Sequence, residues 1–436
     1  MRKLIKDIVS SKEIDEKSEN VYGWVQAKRD LGKRAFLTIK DRSGDLQVVI
    51  PSENSLNQSF YSINLGDVVS VKGSAKEDKR APGGVELVPS ELKVISSCAT
   101  PTPIPLDHLG YRQSSNLEKR LDFRYLDLRN EDVAKIFKIK SKVAESLRKN
   151  FQNNDFIEIQ TPKIVKEGAE GGTNLFPVEY FEKDAFLTQS PQFYKQIMMA
   201  SGLERVYEIA PAFRAEMHDT PRHLNEFTSV DAEMSFIDSE EELMKLQEEM
   251  MKNVFSETKK YASKIGFEGN VTVPKTPFPR ITLDDAYSLL KELKVPVEED
   301  EDIRAQGEEA LGNHFKQSEN QEFFFLTQFP KMLRPLYLKT VEDKPNRTRS
   351  FDLIYRGMEI TSGGQRINDY EELKKAFDER KIPVRNYSFY FEAFKYGMPP
   401  HGGFGLGLER LVKQMVEADN VREAVLFPRD KNRLTP

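Results

Sequence analysis

Residues 213–236 read FRAEMHDTPRHLNEFTSVDAEMSF, two alternating runs around a short loop, with Phe213, Phe227, Met234 and Phe236 at apolar positions. Among them stand Arg214, Glu216, His223, Glu226, Asp231 and Glu233. A core strand does not bury that much charge unless each group meets a partner or a ligand. The pattern predicts two antiparallel strands with a binding site on one face; an exposed, salt-bridged hairpin is the alternative. Arginine can grip a phosphate bidentately, an aromatic ring can carry a base, and carboxylates can take an ammonium group or a metal. Arg214, Phe227 and the acids therefore suit a nucleotide together with a ligand bearing an amino group.

Residues 402–412, GGFGLGLERLV, add a second set. Gly403, Gly405 and Gly407 let a strand approach a ligand closely before a helix starts near Leu408. Leu408, Leu411, Val412, Met415 and Val416 recur at helical spacing and predict a buried stripe. Arg410 falls in the first turn, where a cation opposes the helix dipole, so an anion is expected beside it. Too little chain follows for the βαβ unit of a dinucleotide fold.

Among the supporting elements, a helix expected from about Asp132 to Asn153 shows Ile136, Ile139, Val143, Leu147 and Phe151 on one side. The strand FIEIQTP follows it, ending at Pro162. Alone this is a core helix and strand. In this order the three segments resemble the three signature motifs of class II aminoacyl-tRNA synthetases. The resemblance implies a homodimer across the first motif, with the proline reaching towards the partner's site.

The N-terminal hundred residues hold strand-like runs at VYGWVQAKR, RAFLTIKD, LQVVI, VVSVKG and VELVPSELKVI, with turns at Leu31-Gly32, Ser43-Gly44 and Pro82-Gly83-Gly84. Five short strands with such turns predict an OB-fold β-barrel. Lys28, Arg29, Lys33, Arg34 and Phe36 offer the basic and aromatic mix that binds single-stranded nucleic acid, or a solvated basic hairpin. CATPTPIPLDH reads as a stiff linker. The expected fold class is α+β: residues 1–103 an OB-fold domain, 104–130 a linker or hinge, and 131–436 a domain with an antiparallel sheet flanked by helices; the resemblance implies that the first binds the anticodon and the last is a class II catalytic domain.

Composition agrees. The chain has 436 residues, 38% hydrophobic, which predicts two domains with sizeable cores. No run approaches a membrane span, no signal-peptide stretch is read at the N-terminus, and the single cysteine, Cys98, fits a reducing cytosol. The net charge of −5 means that a nucleic-acid partner needs a local basic patch.

A barrel joined to a class II domain resembles the aspartyl, asparaginyl and lysyl branch, and along nearly its whole length the chain is similar to the aspartyl-tRNA synthetases of archaeal type. That resemblance implies the following roles. Aspartate is held by Glu170, Gln192, Lys195, Asp231, Ser362 and Arg366, with Lys195 and Arg366 on the side-chain carboxylate. Glu170, Gln192 and Asp231 surround the α-ammonium. Asparagine would leave the two cations without a counter-charge. ATP, a substrate, is held by Arg214, Glu216, Arg222, His223, Leu224, Phe227, Glu359, Gly407 and Arg410, with Arg214 and Arg410 the catalytic cations. Asp352, Glu359 and Ser362 form an oxygen set for Mg²⁺. In the barrel, Gln26, Arg29, Phe36, Gln47 and Pro82 face the anticodon. Selective archaeal relatives carry an aromatic residue and a lysine where this chain has Gln26 and Pro82. The implied partners are therefore tRNA(Asp) and, through relaxed reading of the third anticodon base, tRNA(Asn). An asparaginyl enzyme, a tRNA-independent asparagine-forming paralogue and a nucleic-acid-binding protein with an inactive second domain remain the alternatives.

Overall fold

The computed structural model describes residues 2–10, 19–51, 56–106, 115–168 and 174–436, and the chain divides into two compact units, Met1–Ala134 and Lys135–Pro436. In the first unit, β1 (Glu19–Asp30), β2 (Arg34–Asp41), β3 (Gly44–Pro51), β4 (Val68–Glu77) and β5 (Val85–Ser96) close a barrel in the order β1-β2-β3-β5-β4. Alternation sends Val21, Leu37, Ile39, Leu46, Val48, Val69, Val71 and Leu87 inwards, as a small barrel requires. Gly83 and Gly84 take left-handed backbone in the turn before β5, and Pro82 opens that turn. Within the segment expected as a linker lie two short helices, Leu117–Asp122 and Arg124–Asp127, with Arg124 buried against Asp127.

The second unit is built on an eight-stranded sheet. Its strands are β6 (Ile157–Glu158), β10 (Arg205–Phe213), β11 (Glu226–Ser235), β12 (Arg280–Thr282), β13 (Phe323–Thr327), β16 (Ser350–Tyr355), β17 (Met358–Gln365) and β18 (His401–Gly407). The order is β12-β13-β16-β17-β18-β11-β10-β6. Smaller sheets are formed by β7 (Ile164–Val165), β8 (Pro177–Tyr180) and β9 (Lys183–Leu187), and by β14 (Thr340–Val341) and β15 (Lys344–Thr348). The large sheet is not wholly antiparallel. Its edge strands β6 and β12 run parallel to β10 and β13, because a long crossover separates each pair in sequence, through the small sheet β7–β9 and a short helix in the first case and through two helices in the second.

One face of this sheet is the core. The helix expected from Asp132 is Glu131–Asn153, and its Ile139, Val143, Leu147 and Phe151 pack with helix Glu241–Lys264 and helix Leu408–Met415 on Val230, Ala232, Met234, Phe404 and Leu406. Side chains alternate along a strand, so the residues between these, Ser229, Asp231, Glu233 and Gly403, Gly405 and Gly407 of β18, share the opposite face. Glu409 ties the three motifs together: its carboxylate accepts from Lys140 Nζ at 2.8 Å and from the Thr228 amide at 2.9 Å.

Candidate active site

The register of β18 against β11 explains the glycine spacing. Gly403 lies opposite Glu233, Gly405 opposite Asp231 and Gly407 opposite Ser229. A Cβ on Gly403 would come within 2.1 Å of Glu233 Oε2, and one on Gly405 within 3.2 Å of Asp231 Oδ1. The sequence expectation was close approach to a ligand. At Gly403 the close neighbour is the protein's own carboxylate.

One pocket on this face is lined by Gln192, Arg214, Glu216, Arg222, His223, Leu224, Phe227, Asp231, Glu359, Ser362, Arg366, Gly407 and Arg410, thirteen of the residues singled out from the sequence. Lys195 and Asp352 lie outside that lining, and Glu170, with the rest of its EGGT turn, lies outside the described residues.

Arg214, Glu216 and His223 were expected on strands. They lie instead in the connection between β10 and β11, which is longer than expected. Beyond the ladder one backbone bond persists, Arg214 N–H to the Asn225 carbonyl at 2.9 Å, and side-chain bonds join it: Asn225 Nδ2 donates to the carbonyls of Arg214 and Glu216 at 2.6 and 3.0 Å. The Arg214 guanidinium sits 5.3 Å from the centre of the Phe227 ring. Arg222 donates to Glu308 Oε2 at 2.8 Å and to the Gly357 carbonyl at 3.0 Å. His223 shares a hydrogen bond of 2.6 Å with Thr220 Oγ1, and burial, then the Arg410 charge, lower its pKa.

Arg410 does occupy the first turn of helix Leu408–Met415, whose buried stripe is as expected except that Val416 lies just beyond it. Its Nη1 is 3.5 Å from Glu359 Oε2 and donates to the Glu359 carbonyl at 3.2 Å. Part of the anion expected beside Arg410 is therefore Glu359.

The other end of the pocket corrects the charge reasoning. Lys195, in helix Gln192–Ile197 and 2% exposed, donates to Asp231 Oδ1 and to the Phe404 carbonyl, both at 2.9 Å, with Glu233 Oε2 3.6 Å away. Arg366 donates from Nε and Nη2 to the two oxygens of Glu233 at 2.9 and 3.2 Å. The two cations are thus not without counter-charges: two buried acids already face them. Arg366 Nη1 makes no hydrogen bond among the described residues, and Arg366 lines the pocket. Glu233, fully buried, has no individual role in the sequence reading, only a place among the strand acids. Its position two after Asp231 on an alternating strand was the available signal.

Asp352 faces Ser362 directly across β16 and β17. Arg334 donates to Asp352 Oδ2 at 2.5 Å and to Ser362 Oγ at 3.1 Å, so a protein cation occupies one side of the expected metal set. Asp352 Oδ1 is buried without a hydrogen-bond partner, and burial, together with repulsion from Glu359, pushes the carboxyl up to about 6. A hard divalent cation answers both features, so two carboxylates and a hydroxyl fit Mg²⁺ completed by phosphate and water. Among the described residues no cluster of three or more acidic, histidine or cysteine side chains stands ready to cage a metal alone.

In the barrel, Arg29 pairs with Phe36 and Thr38 with Gln47, which puts Arg29, Phe36 and Gln47 on one outer face. Pro82 is exposed, whereas Gln26 is only 5% exposed, at the bulge between Val25 and Ala27. Gln26 is therefore not displayed on the surface as an anticodon contact would be. Lys28 is spent internally, donating to the carbonyls of Tyr61 and Ile63.

Comparison with known proteins places the chain. The family model described as tRNA synthetases class II (D, K and N) matches residues 116–431, and one for an OB-fold nucleic acid binding domain matches 20–95. The aspartate–tRNA(Asp) ligase of Pyrococcus horikoshii is 46% identical over 433 residues, 98% of each chain. The aspartate–tRNA(Asp/Asn) ligase of Methanopyrus kandleri is 43% identical over 429 residues, 97% of each. A solved structure of asparaginyl-tRNA synthetase from Pyrococcus horikoshii with asparaginyl-adenylate aligns with a TM-score of 0.92 at 32% identity, covering all of both chains. With one family model spanning most of the chain and relatives alike from end to end, the chain belongs to the class II aminoacyl-tRNA synthetases of the aspartate, lysine and asparagine group.

Proposed function

We propose that this protein is an aspartate–tRNA ligase: it joins L-aspartate to AMP at the expense of ATP, releasing diphosphate, and transfers the aspartyl group to the 3′-terminal adenosine of tRNA(Asp) and of tRNA(Asn). One observation carries the reading. A single pocket has an arginine–phenylalanine end, Arg214, Phe227 and Arg410, and an amino-acid end, Gln192, Asp231 and Arg366. Phe227 stacks under adenine, with Glu216 and Leu224 beside it. Arg214 holds the α-phosphate, and Arg410 with Arg222 and His223 holds the outer phosphates. Asp231, Gln192 and Glu170 take the ammonium. The aspartate side chain meets Arg366 Nη1, and Lys195 turns towards it from Asp231.

No protein base is needed first, because the α-carboxylate is ionised at neutral pH. It attacks the α-phosphorus in line, the bond to the β-phosphate oxygen breaks, and the arginines spread the developing charge. Magnesium held by Asp352, Glu359 and Ser362 would neutralise the phosphates when bound. Ile157, exposed on edge strand β6, and exposed Pro162 beyond it suit a second copy as the dimer partner. Among the described residues no helix is long and apolar enough to cross a membrane; the working place we propose for the enzyme is the cytosol.

Two names among the relatives, tRNA(Asp) and tRNA(Asp/Asn), frame the remaining choice, and exposed Pro82 offers no donor to a base edge. Charging of purified tRNAs with anticodons GUC and GUU tests it, with aspartate and asparagine supplied separately. Aspartate on both tRNAs is expected. Aspartate on the GUC tRNA alone would discard the relaxed choice, and asparagine in place of aspartate would transfer the chain to its asparaginyl neighbours.

A further inference from the structure

An ammonium ligand can be met by the oxygen of a glutamine side chain but not by its nitrogen. Gln192 lines the pocket, so which end of its amide faces inwards matters. The answer is set two residues away along a buried chain of hydrogen bonds. His401, fully buried at the start of β18, has Nδ1 2.9 Å from the Pro399 carbonyl oxygen. A carbonyl only accepts, so Nδ1 carries the proton, and in a neutral ring Nε2 must then accept. It lies 3.1 Å from Gln196 Nε2, which donates to it. The other end of that amide, Gln196 Oε1, accepts from Tyr390 Oη at 3.1 Å and from Gln192 Nε2 at 3.0 Å. Gln192 Nε2 is thereby engaged, and its Oε1 is the atom left for the pocket.

We propose that His401 is a positioning residue for amino-acid binding, whose Nδ1–H tautomer acts through Gln196 to hold Gln192 with its carbonyl oxygen towards the substrate's α-ammonium. This rests on the reading of the pocket as an amino-acid site and says how one of its ligands is oriented. Burial, with the nearby Arg366 charge, lowers the imidazole pKa to about 4, which keeps the ring neutral and the chain of donors one-directional at neutral pH. Tyr390, a hydroxyl that can turn, adapts to either direction; His401 facing a carbonyl cannot.

The test uses the full-length chain with His401→Leu and, separately, Gln196→Met, which cuts the same chain at its middle. Diphosphate exchange gives the KM for L-aspartate and for ATP, and the inhibition constant of succinate, which is aspartate without its α-amino group. Losing an oriented acceptor for a charged donor should raise the aspartate KM about tenfold or more. Succinate inhibition and the ATP KM should stay unchanged. An unaltered aspartate KM in both variants overturns the proposal, as does parallel weakening of aspartate and succinate, which would mean only a damaged pocket. If His401→Leu fails to fold, Gln196→Met supplies the same reading. Absence of aspartate-dependent exchange in the unaltered protein would remove the amino-acid reading itself, and this proposal with it.

Discussion

Two buried cations beside a pocket need anions of their own before any ligand arrives, and Glu233 supplies most of that charge to Arg366 and part of it to Lys195. Although burial opposes it, the pairing with Arg366 and then Lys195 holds the Glu233 pKa below the usual 4.5. Its stabilisation is therefore present above pH 4.5 and is lost as pH falls through the lower folded value. Glu233→Gln leaves a buried positive excess and should destabilise the second unit by about 3 kcal/mol at neutral pH. Urea unfolding followed by circular dichroism measures this, and a change below about 1 kcal/mol would contradict the pairing. Glu308 behaves oppositely. Burial first, then Glu359, push its pKa up to about 7, although Arg222 and the Glu359 amide both donate to Oε2. The folded protein keeps this proton while the unfolded chain has lost it, so Glu308 subtracts stability as pH rises from 4.5 through about 7. His401 does the reverse, adding stability as pH rises from about 4 to 6.5. The unaltered protein should thus show little slope from these two groups in the overlap. Glu308→Gln should gain on it by about 3 kcal/mol between pH 5 and pH 8. A gain independent of pH would refute the raised pKa.

At the scale of elements, the facing strands β11 and β18 are one device, with polar side chains on one strand and glycines opposite them on the other. The room at each rung differs, and that ranks three substitutions. Gly403→Ala puts a methyl 2.1 Å from Glu233 Oε2 and from the Ala232 carbonyl, where something must move. It should cost about 3 kcal/mol of stability and most aspartate activation. Gly405→Ala meets Asp231 at 3.2 Å and should be milder, while Gly407→Ala, whose nearest neighbour is the Arg410 side chain at 3.7 Å, should fold normally. Equal unfolding midpoints for the first and third variants would refute the ranking. Both strands and the helix after them were legible in the sequence, because period-two and helical patterns are local. The register was not, since opposition of Gly403 to Glu233 depends on residues 170 positions apart. For the same reason the sequence displayed Lys195 and Arg366 as bare cations and hid Glu308, which reaches Arg222 from helix Arg304–Glu319. Alternation of residue types continues past Phe213 and so predicts strand for Arg214 and Glu216, whereas the strand pairing ends at Phe213 opposite Glu226.

At the scale of the molecule, our reading puts adenylate formation in one of the two compact units and the anticodon face in the other, so substitutions in the barrel should separate recognition from activation. The protein is net negative, which leaves tRNA binding to local groups rather than to a general field. On our reading those groups, on the outer face of β1–β3, are Arg29, exposed, and Phe36 and Gln47, half-buried, while Lys28 is engaged with the carbonyls of Tyr61 and Ile63. Phe36 is the one able to stack on a base, and stacking on an aromatic side chain is worth ~1–3 kcal/mol per base. Phe36→Ala should therefore raise the tRNA KM in charging by roughly 5- to 150-fold. Aspartate-dependent diphosphate exchange, which needs no tRNA, should be unchanged. Because Phe36 is opposite Arg29 on one side and Val49 on the other, a loss of barrel folding is the competing cause, and the melting temperature of the variant separates the two. A folded Phe36→Ala barrel that still supports normal charging would take the anticodon contact away from this face and move it to the loops that end the strands.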